Sequence, residues 1–401
     1  MIKINHILVL SSILFSYQLL AQNTSDTILL NEDKTIEIAF ENNLKLKNSK
    51  LLVQIEREKK ALAFDLPKTQ VNLDYGQLNS IVNDRFIAVN QEFEFPTVYY
   101  RELKLATETS QLALLKNNLF EMQFKAEVLT TYVKWHFAYS ELNLANDELV
   151  YYQKYKKSIN AKYNSGEINY LAKLMAESKL GELELNQQRK RALLVEVENE
   201  LKQLLQIQNP IAPIDGKVFK LPYERSIRNT SPLIISLAKQ ELLVEDRKIK
   251  AMRSKISPAF SVGYFNQSID LTTAFTGWQF GVGIPLFFWS QKSALTVAKL
   301  KYEITSNTLS EKELAYKLQL NSMETKLDQL VLELGYYESQ ALHQAQTILE
   351  HAGKSFDAGN INYLEYLQAI SNSYSIQNRY LIALNKYNQA TIEFNYLIDN
   401  L

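Results

Sequence analysis

The 401-residue chain has no cysteine, and only eight prolines and eleven glycines. Without cysteine there is no disulfide, no thiolate metal site, no cysteine nucleophile and no lipidated N-terminal cysteine. The scarcity of proline and glycine leaves long stretches free to be helical. Charge of one sign is not in excess either: 44 Lys and Arg balance 44 Asp and Glu, so no field toward nucleic acid or an acidic partner is implied. Past the N-terminus no segment approaches eighteen consecutive apolar residues, which excludes a membrane-spanning helix in the mature chain. The histidines are His6, His136, His343 and His351, and the last two are eight positions apart rather than on adjacent turns. Met122, Met175, Met252 and Met323 are scattered as core fillers. With no phosphate loop and no nucleophile motif, the chain is read as a non-enzyme without cofactor or resident metal.

What is present begins with an export signal. Lys3 precedes a mostly apolar run, His6–Leu20, closed by Ala21. That order is a secretory signal peptide over residues 1–21, too short and too promptly closed by a small residue for a retained anchor. The mature chain is thus expected outside the cytoplasm, either soluble or in a barrel.

Proline placement maps the rest. Pro67 and Pro96 bracket one segment, Pro258 and Pro285 another, and Pro210, Pro213, Pro222 and Pro232 cluster between. Thr35–Phe64 has helical spacing, with Asn31 or Asp33 as candidate caps. Between the prolines the period changes to two. Val71, Leu73 and Tyr75 alternate with polar residues; so do Ile87, Val89, Phe93 and Phe95, with Gln91 interrupting the apolar face. Phe260, Val262 and Tyr264 repeat the pattern in the second half, as do Trp278, Phe280, Val282 and Ile284. Strands with one greasy, aromatic face and one polar or small face suit a transmembrane barrel. Four of them cannot close without leaving an edge, and lipid tolerates no open edge, so several copies must share one barrel.

After each hairpin follows a long helical run, Tyr99–Asn160 and Trp289–Ser355. At 1.5 Å per residue each extends roughly 90–100 Å, a length that suits coiled-coil packing. Each run ends in a repeated stretch, Tyr163–Ala176 and Phe356–Ala369, identical at about half its positions. The shared core is Gly-x-Ile-Asn-Tyr-Leu. The glycines, Gly166 and Gly359, are expected to stop the helices in a left-handed turn, and Asn169 and Asn362 to cap the returning ones, Leu171–Leu205 and Leu364–Leu397.

Two halves result. The first repeat is 22–209, with strands at about 68–96 and a hairpin at about 99–205 whose tip is 163–170. A crossover spans 210–231. The second repeat is 232–401, with strands at about 258–286, a hairpin at about 289–397 and a tip at 356–363.

This order resembles the TolC-like outer membrane efflux family across essentially the whole mature chain. The opening Leu30-x4-Thr35-Ile-Glu37-x-Ala39-x-Glu41-Asn42-Asn43 is similar to the family's first helix, and Asn229-Thr-Ser-Pro232-Leu233 to its counterpart in the second half. Phe95-Pro96 and Ile284-Pro285-Leu286-Phe287 resemble the strand-to-helix joints, and the repeated stretch the tip turns. The resemblance implies a mainly α protein with a β-barrel portion: a homotrimer in outer membrane lipid, with twelve strands and a helical tunnel through the periplasm. It also implies a periplasmic adaptor and an inner-membrane pump as partners, and no nucleic acid. The tips Gly166, Asn169, Tyr170, Gly359, Asn362 and Tyr363 are expected to meet the adaptor. Glu365 and Gln368 match positions of rings that narrow the tunnel mouth, Glu365 alone being acidic, and three copies of it would favour cations. The family's gating tyrosine is matched by Phe356, and an arginine of some members' closed-state network by Ile361, so apolar packing is expected to replace a polar latch at this aperture. The expected activity is a passive exit duct for efflux or type I secretion. The rival reading is a periplasmic coiled-coil adaptor or structural protein whose hairpins never meet lipid. Cargo is not specified; little chain beyond Leu397 is somewhat like the metal-efflux branch, which makes heavy-metal cations the alternative cargo.

Overall fold

A computed structural model describes residues 26–79, 81–216, 218–223, 231–269, 272–284 and 289–401. The signal-peptide reading, Asn229-Thr230 and the Pro285–Phe287 joint lie outside these residues. The chain forms two compact units. One contains the described residues up to Asn43, Val128–Lys220 and Glu333–Asn388, and carries both hairpin tips. The other contains Leu44–Glu127, Leu221–Leu332 and Gln389–Leu401, and carries the antiparallel sheet.

In the tip unit the chain enters as β1 (Ile28–Leu30) and α1 (Glu32–Asn42). Asn31 caps α1, its side chain accepting from the Lys34 amide at 2.9 Å, and Glu32 and Asp33 lie in the first turn, where the helix dipole favours anions. The single helix expected over Thr35–Phe64 is not continuous: α1 stops at Asn42 and α2 (Leu44–Glu58) begins after Asn43, with a separate 3-10 turn at Ala61–Phe64. The reason is polar bonding that periodicity does not register. Asn43 is extended, and its side-chain amide donates to the Leu204 carbonyl at 3.1 Å while that of Asn42 donates to Leu205 at 3.3 Å. These carbonyls end α4 (Tyr170–Leu205), where no further turn can satisfy them. β1 pairs in parallel with β4 (Ile211–Pro213), the start of the crossover.

The first long helix, α3, runs from Pro96 to Asn164, 69 residues, three earlier and four later than expected. Proline at its first position loses no helical hydrogen bond and presets φ. In the tip unit α3 packs on α4 through a buried ion pair, Lys190 Nζ to Glu141 Oε1 at 2.6 Å, with Glu141 almost fully buried. Crossover residue Phe219 inserts against Tyr132 and His136, its ring edge-on to the imidazole at 5.0 Å. Burial pushes the His136 pKa down, so the ring stays neutral as a packing group.

The second long helix is not continuous. α6 (Trp289–Tyr336) passes through one π turn, Tyr337–Ala341, into α7 (Leu342–Asp357); α8 (Tyr363–Leu397) returns. No described helix is long and apolar enough to cross a membrane.

The sheet unit holds β2 (Gln70–Gly76), β3 (Asp84–Phe93), β5 (Ala259–Ile269) and β6 (Thr272–Gly283), in the order β2-β3-β5-β6, all antiparallel. The strands of the second half are longer than the alternation indicated, because polar Asn266 and Thr276 pair across the far end where the apolar pattern fades. The two hairpins join along β3–β5, Val89 opposite Tyr264 and Phe93 opposite Phe260. Val71 faces Val89, Leu73 faces Ile87, Tyr264 faces Trp278 and Phe260 faces Val282. Since directly opposed residues share a face, all of these lie on one side with Val262 and Phe280. That side is open: Trp278 is 67% and Phe280 79% exposed. The opposite side carries Asn72, Asn90, Ser261, Gly277 and Gln279.

The unit's helices follow the same order. α2 lies beside α3 (Ser49 Oγ to Asn117 Oδ1, 2.8 Å). α3 lies beside α5 (Leu233–Ser254) through Arg247–Glu108 at 3.2 Å and Lys255–Glu102 at 2.9 Å. α5 lies beside α6 through Lys312–Glu241 at 3.3 Å. Each helix is thus the one that leads into or out of the corresponding strand.

Candidate functional site

The repeated stretch folds twice into the same backbone. In the first tip the Gly166 amide bonds the Tyr163 carbonyl at 3.1 Å and the Glu167 amide reaches Lys162 at 2.9 Å. In the second, Gly359 bonds Phe356 at 3.1 Å and Asn360 reaches Ser355 at 2.8 Å. The glycines have φ of +77° and +73°, the left-handed region that a side chain strains. Asn169 accepts from the Ala172 amide at 2.9 Å and Asn362 from the Glu365 amide at 3.0 Å, capping the returning helices as expected.

The second tip adds a return bond. Glu365 Oε2 accepts from the Asn362 amide at 2.9 Å, completing a reciprocal capping box. Asn-x-x-Glu, three positions apart, is the sequence signal for this box. From the sequence, Glu365 reads only as part of a ring at the tunnel mouth. The structure gives it this local role while leaving it on the exposed face of α8 with Gln368.

The side chains diverge where the backbones agree. Tyr170 is 63% exposed, and with Leu171, Leu174 and Met175 it forms an open apolar patch at the first tip. Its counterpart Tyr363 is only 6% exposed. The expectation that Tyr363 presents a docking surface is therefore corrected: its ring lies in the core, 6.3 Å from Phe356. Phe356 is corrected likewise. It is 3% exposed, stacks on Tyr366 at 4.6 Å and lies beneath the Lys162 ammonium at 4.3 Å, so within this chain it packs the interior and lines no opening. Ile361 packs against the same cluster.

This cluster unites Tyr152, Ile159, Leu180, Leu183, Phe356, Tyr363, Tyr366, Ile370 and Tyr374 from α3, α4, α7 and α8. Burial raises the pKa of Tyr152, Tyr363, Tyr366 and Tyr374, and pushes that of Tyr151 up to about 12, so these phenols stay neutral. Sequence reasoning did not find Lys162, Tyr155 and Tyr366 as partners of Phe356. Two of them are on α3, and only tertiary packing brings them there. Beside the cluster a cavity of about 400 Å³ is lined by Met175, Lys179, Glu182, Leu364, Leu367 and Gln368, which joins Gln368 to the first-tip patch through Met175. Among the described residues no group of three or more His, Asp or Glu forms a metal cluster.

The sequence model of the family described as "Outer membrane efflux protein" matches residues 235–398. No curated protein matches the chain. Solved structures of similar fold include the Campylobacter jejuni CmeC outer membrane channel, at TM-score 0.78 and 14% identity, covering 95% of this chain and 90% of that one. CusC, described for its transmembrane channel formation, gives TM-score 0.75 and 17% identity over 94% of this chain and 95% of its own. The open state of the Neisseria gonorrhoeae MtrE outer membrane channel gives 0.74 and 18%, over 92% and 88%. The family's description names the outer membrane. Residues 235–398 thus match the outer membrane efflux protein family, and the whole chain is similar in fold to TolC-like outer membrane channels.

Proposed function

We propose that the chain forms a homotrimeric exit duct that passes cargo across the periplasm and outer membrane without hydrolysing anything. The observation that carries this is the open sheet. Within the described residues β2 and β6 each pair on one side only, and one face of the sheet presents uncovered Val71, Leu73, Trp278, Phe280 and Val282. In lipid that face is solvated and the free edges are not, so β2 of one copy must pair with β6 of the next. Three copies of a four-stranded sheet supply twelve strands, an even number within the range of outer membrane barrels.

The helices support the same closure. The two outermost, α2 and α6, expose apolar stripes: Leu44, Leu51, Leu52 and Ile55 on one, Leu300, Ile304, Leu314 and Leu318 on the other. In the latter, Leu300 and Leu314 are two heptads apart, as are Ile304 and Leu318, the spacing of a coiled-coil seam. Since β6 leads into α6 and α2 leads into β2, the edge pairing sets these stripes side by side.

The adaptor and inner-membrane pump belong to the same reading. Gly166, Asn169, Tyr170, Gly359 and Asn362 form the docking surface, with Leu171, Leu174 and Met175 added. Glu365 and Gln368 face the inner end of the duct. Gly359→Pro imposes a φ that the turn cannot accept, and blocks adaptor capture while the trimer persists. The decisive experiment is membrane fractionation with heat-modifiable gel mobility, followed by planar-bilayer recording. A heat-sensitive oligomer in the outer membrane fraction with stepwise conductance supports the duct. A soluble chain with no temperature-dependent band supports the adaptor reading instead.

A further inference from the structure

The side of the sheet opposite the open aromatic face is polar over most of its length, but not near the hairpin loops. There one row crosses all four strands: Asp74 faces Phe86, Phe86 faces Gln267, and Gln267 faces Phe275. Phe265, two residues before Gln267 and therefore on the same side, adds a third ring. The Phe86 and Phe265 centroids are 5.9 Å apart, with the ring planes at 26°. Phe265 leans onto β6, where a Cβ at Gly277 would meet its Cε1 and Cζ at 2.6 Å, so glycine at 277 makes the seat for that ring. Phe86 and Phe265 are half-buried, and Phe275 is 45% exposed. Cross-strand contact accounts for the Phe86–Phe265 pair as sheet stabilisation. It gives no reason for a third ring to stand open among Asn72, Asn90, Ser261 and Gln279. An apolar patch rimmed by polar residues marks a binding surface.

Charge selects what binds there. Along the paired positions of this side the ionisable side chains are Asp74, Asp84 and Glu92, with no Lys, Arg or His. Asp84 is buried at the loop, where it accepts from the Asn79 amide at 3.0 Å. Glu92 lies six residues from Phe86 along β3, about 20 Å toward the helices. Asp74 remains, exposed and directly beside Phe86. We propose that Asp74, Phe86, Phe265, Gln267 and Phe275 form a binding site inside the barrel for planar organic cations. The ligand's ring stacks on the phenylalanines, and its charge is met by their faces and by the Asp74 carboxylate. The Gln267 amide offers a donor and an acceptor between the rings. The site's place in a lumen rests on the channel reading; its ligand chemistry rests on the row alone.

The full-length protein, purified in detergent, is titrated into N-methylacridinium, and binding is read as fluorescence anisotropy against a detergent blank. Saturable binding is expected. Phe86→Leu and Phe275→Leu, which keep an apolar side chain but remove a ring face, each weaken it about fivefold. Asp74→Asn weakens it about threefold. Phe280→Leu, on the opposite side of the sheet, leaves it unaltered. Tetramethylammonium, a cation without a ring, and 1-naphthalenesulfonate, a ring of opposite charge, fail to compete. Absence of saturable binding, or one affinity shared by the parent, Phe86→Leu and Phe275→Leu, overturns the site. An equal loss in Phe280→Leu overturns it too, by placing the cation on the outer face. Competition by 1-naphthalenesulfonate overturns the choice of cations. Bilayer recordings of the parent keep the two readings apart: no conductance with binding intact would sink the duct and leave the site standing, and conductance without binding would sink the site alone.

Discussion

The two hairpin tips share a backbone and differ in what that backbone is used for. Both stop a helix at a left-handed glycine and restart it under an asparagine. Yet Tyr170 points out and Tyr363 in; Tyr163 is half-buried, and its counterpart Phe356 fully so. The difference teaches that a duplicated motif fixes turn geometry, while each copy's neighbours fix its surface. Around the second copy, Tyr155, Tyr363 and Tyr366 close over Phe356. At the first, Tyr163 meets the Tyr170 ring at 6.2 Å and lies under Lys173 at 4.8 Å.

The largest test of that contrast is truncation. Phe356→Ala removes a buried ring and is expected to cost about 3–5 kcal/mol, whereas Tyr163→Ala costs under about 1 kcal/mol. Denaturant midpoints of the two variants in detergent would show it, and equal shifts would abolish the distinction. Next is Tyr363→Phe. The Tyr363 hydroxyl is buried without a hydrogen-bond partner, so its removal should stabilise by about 1 kcal/mol, while Tyr170→Phe changes nothing.

Glu365 separates two roles that the second tip combines. Glu365→Ala loses the capping box and about 0.5–1 kcal/mol; Glu365→Gln keeps it, since glutamine serves at that position. If the carboxylates also face the duct, Glu365→Gln lowers cation preference in single-channel recordings at unchanged stability. Unaltered selectivity in both variants would confine Glu365 to capping. The smallest effect sharpens the comparison by copying the box into the first tip. Ala172→Glu places a carboxylate three residues after Asn169 and should add about 0.5 kcal/mol, read as slower amide exchange in the first turn of α4. No change there would mean that the first tip's exposure, not its sequence, limits it.

The regular elements could be read from the sequence because their causes are local. Proline positions and the change of period from 3.6 to 2 located the strands and both long hairpins to within a few residues, and the tip glycines and asparagines their turns. Causes that were not local escaped. The break at Asn43 depends on carbonyls some 160 positions away. The π turn has no composition signal, since Tyr337-Glu-Ser-Gln-Ala341 reads as ordinary helix. At the candidate site, Phe356 and Tyr363 looked like surface because their counterparts share the motif, and α3, which buries them, lies about 200 positions earlier in the chain.

The sheet's two free borders are different strands, β2 and β6, and neither matches itself under a two-fold rotation. Such head-to-tail association has no natural stopping point except a closed ring, and a ring that misses closure grows as a filament. If copies of this chain close as proposed, the curvature built into one protomer's strands decides between a finished pore and an aggregate. Assembly should be safest where a bilayer already imposes that curvature.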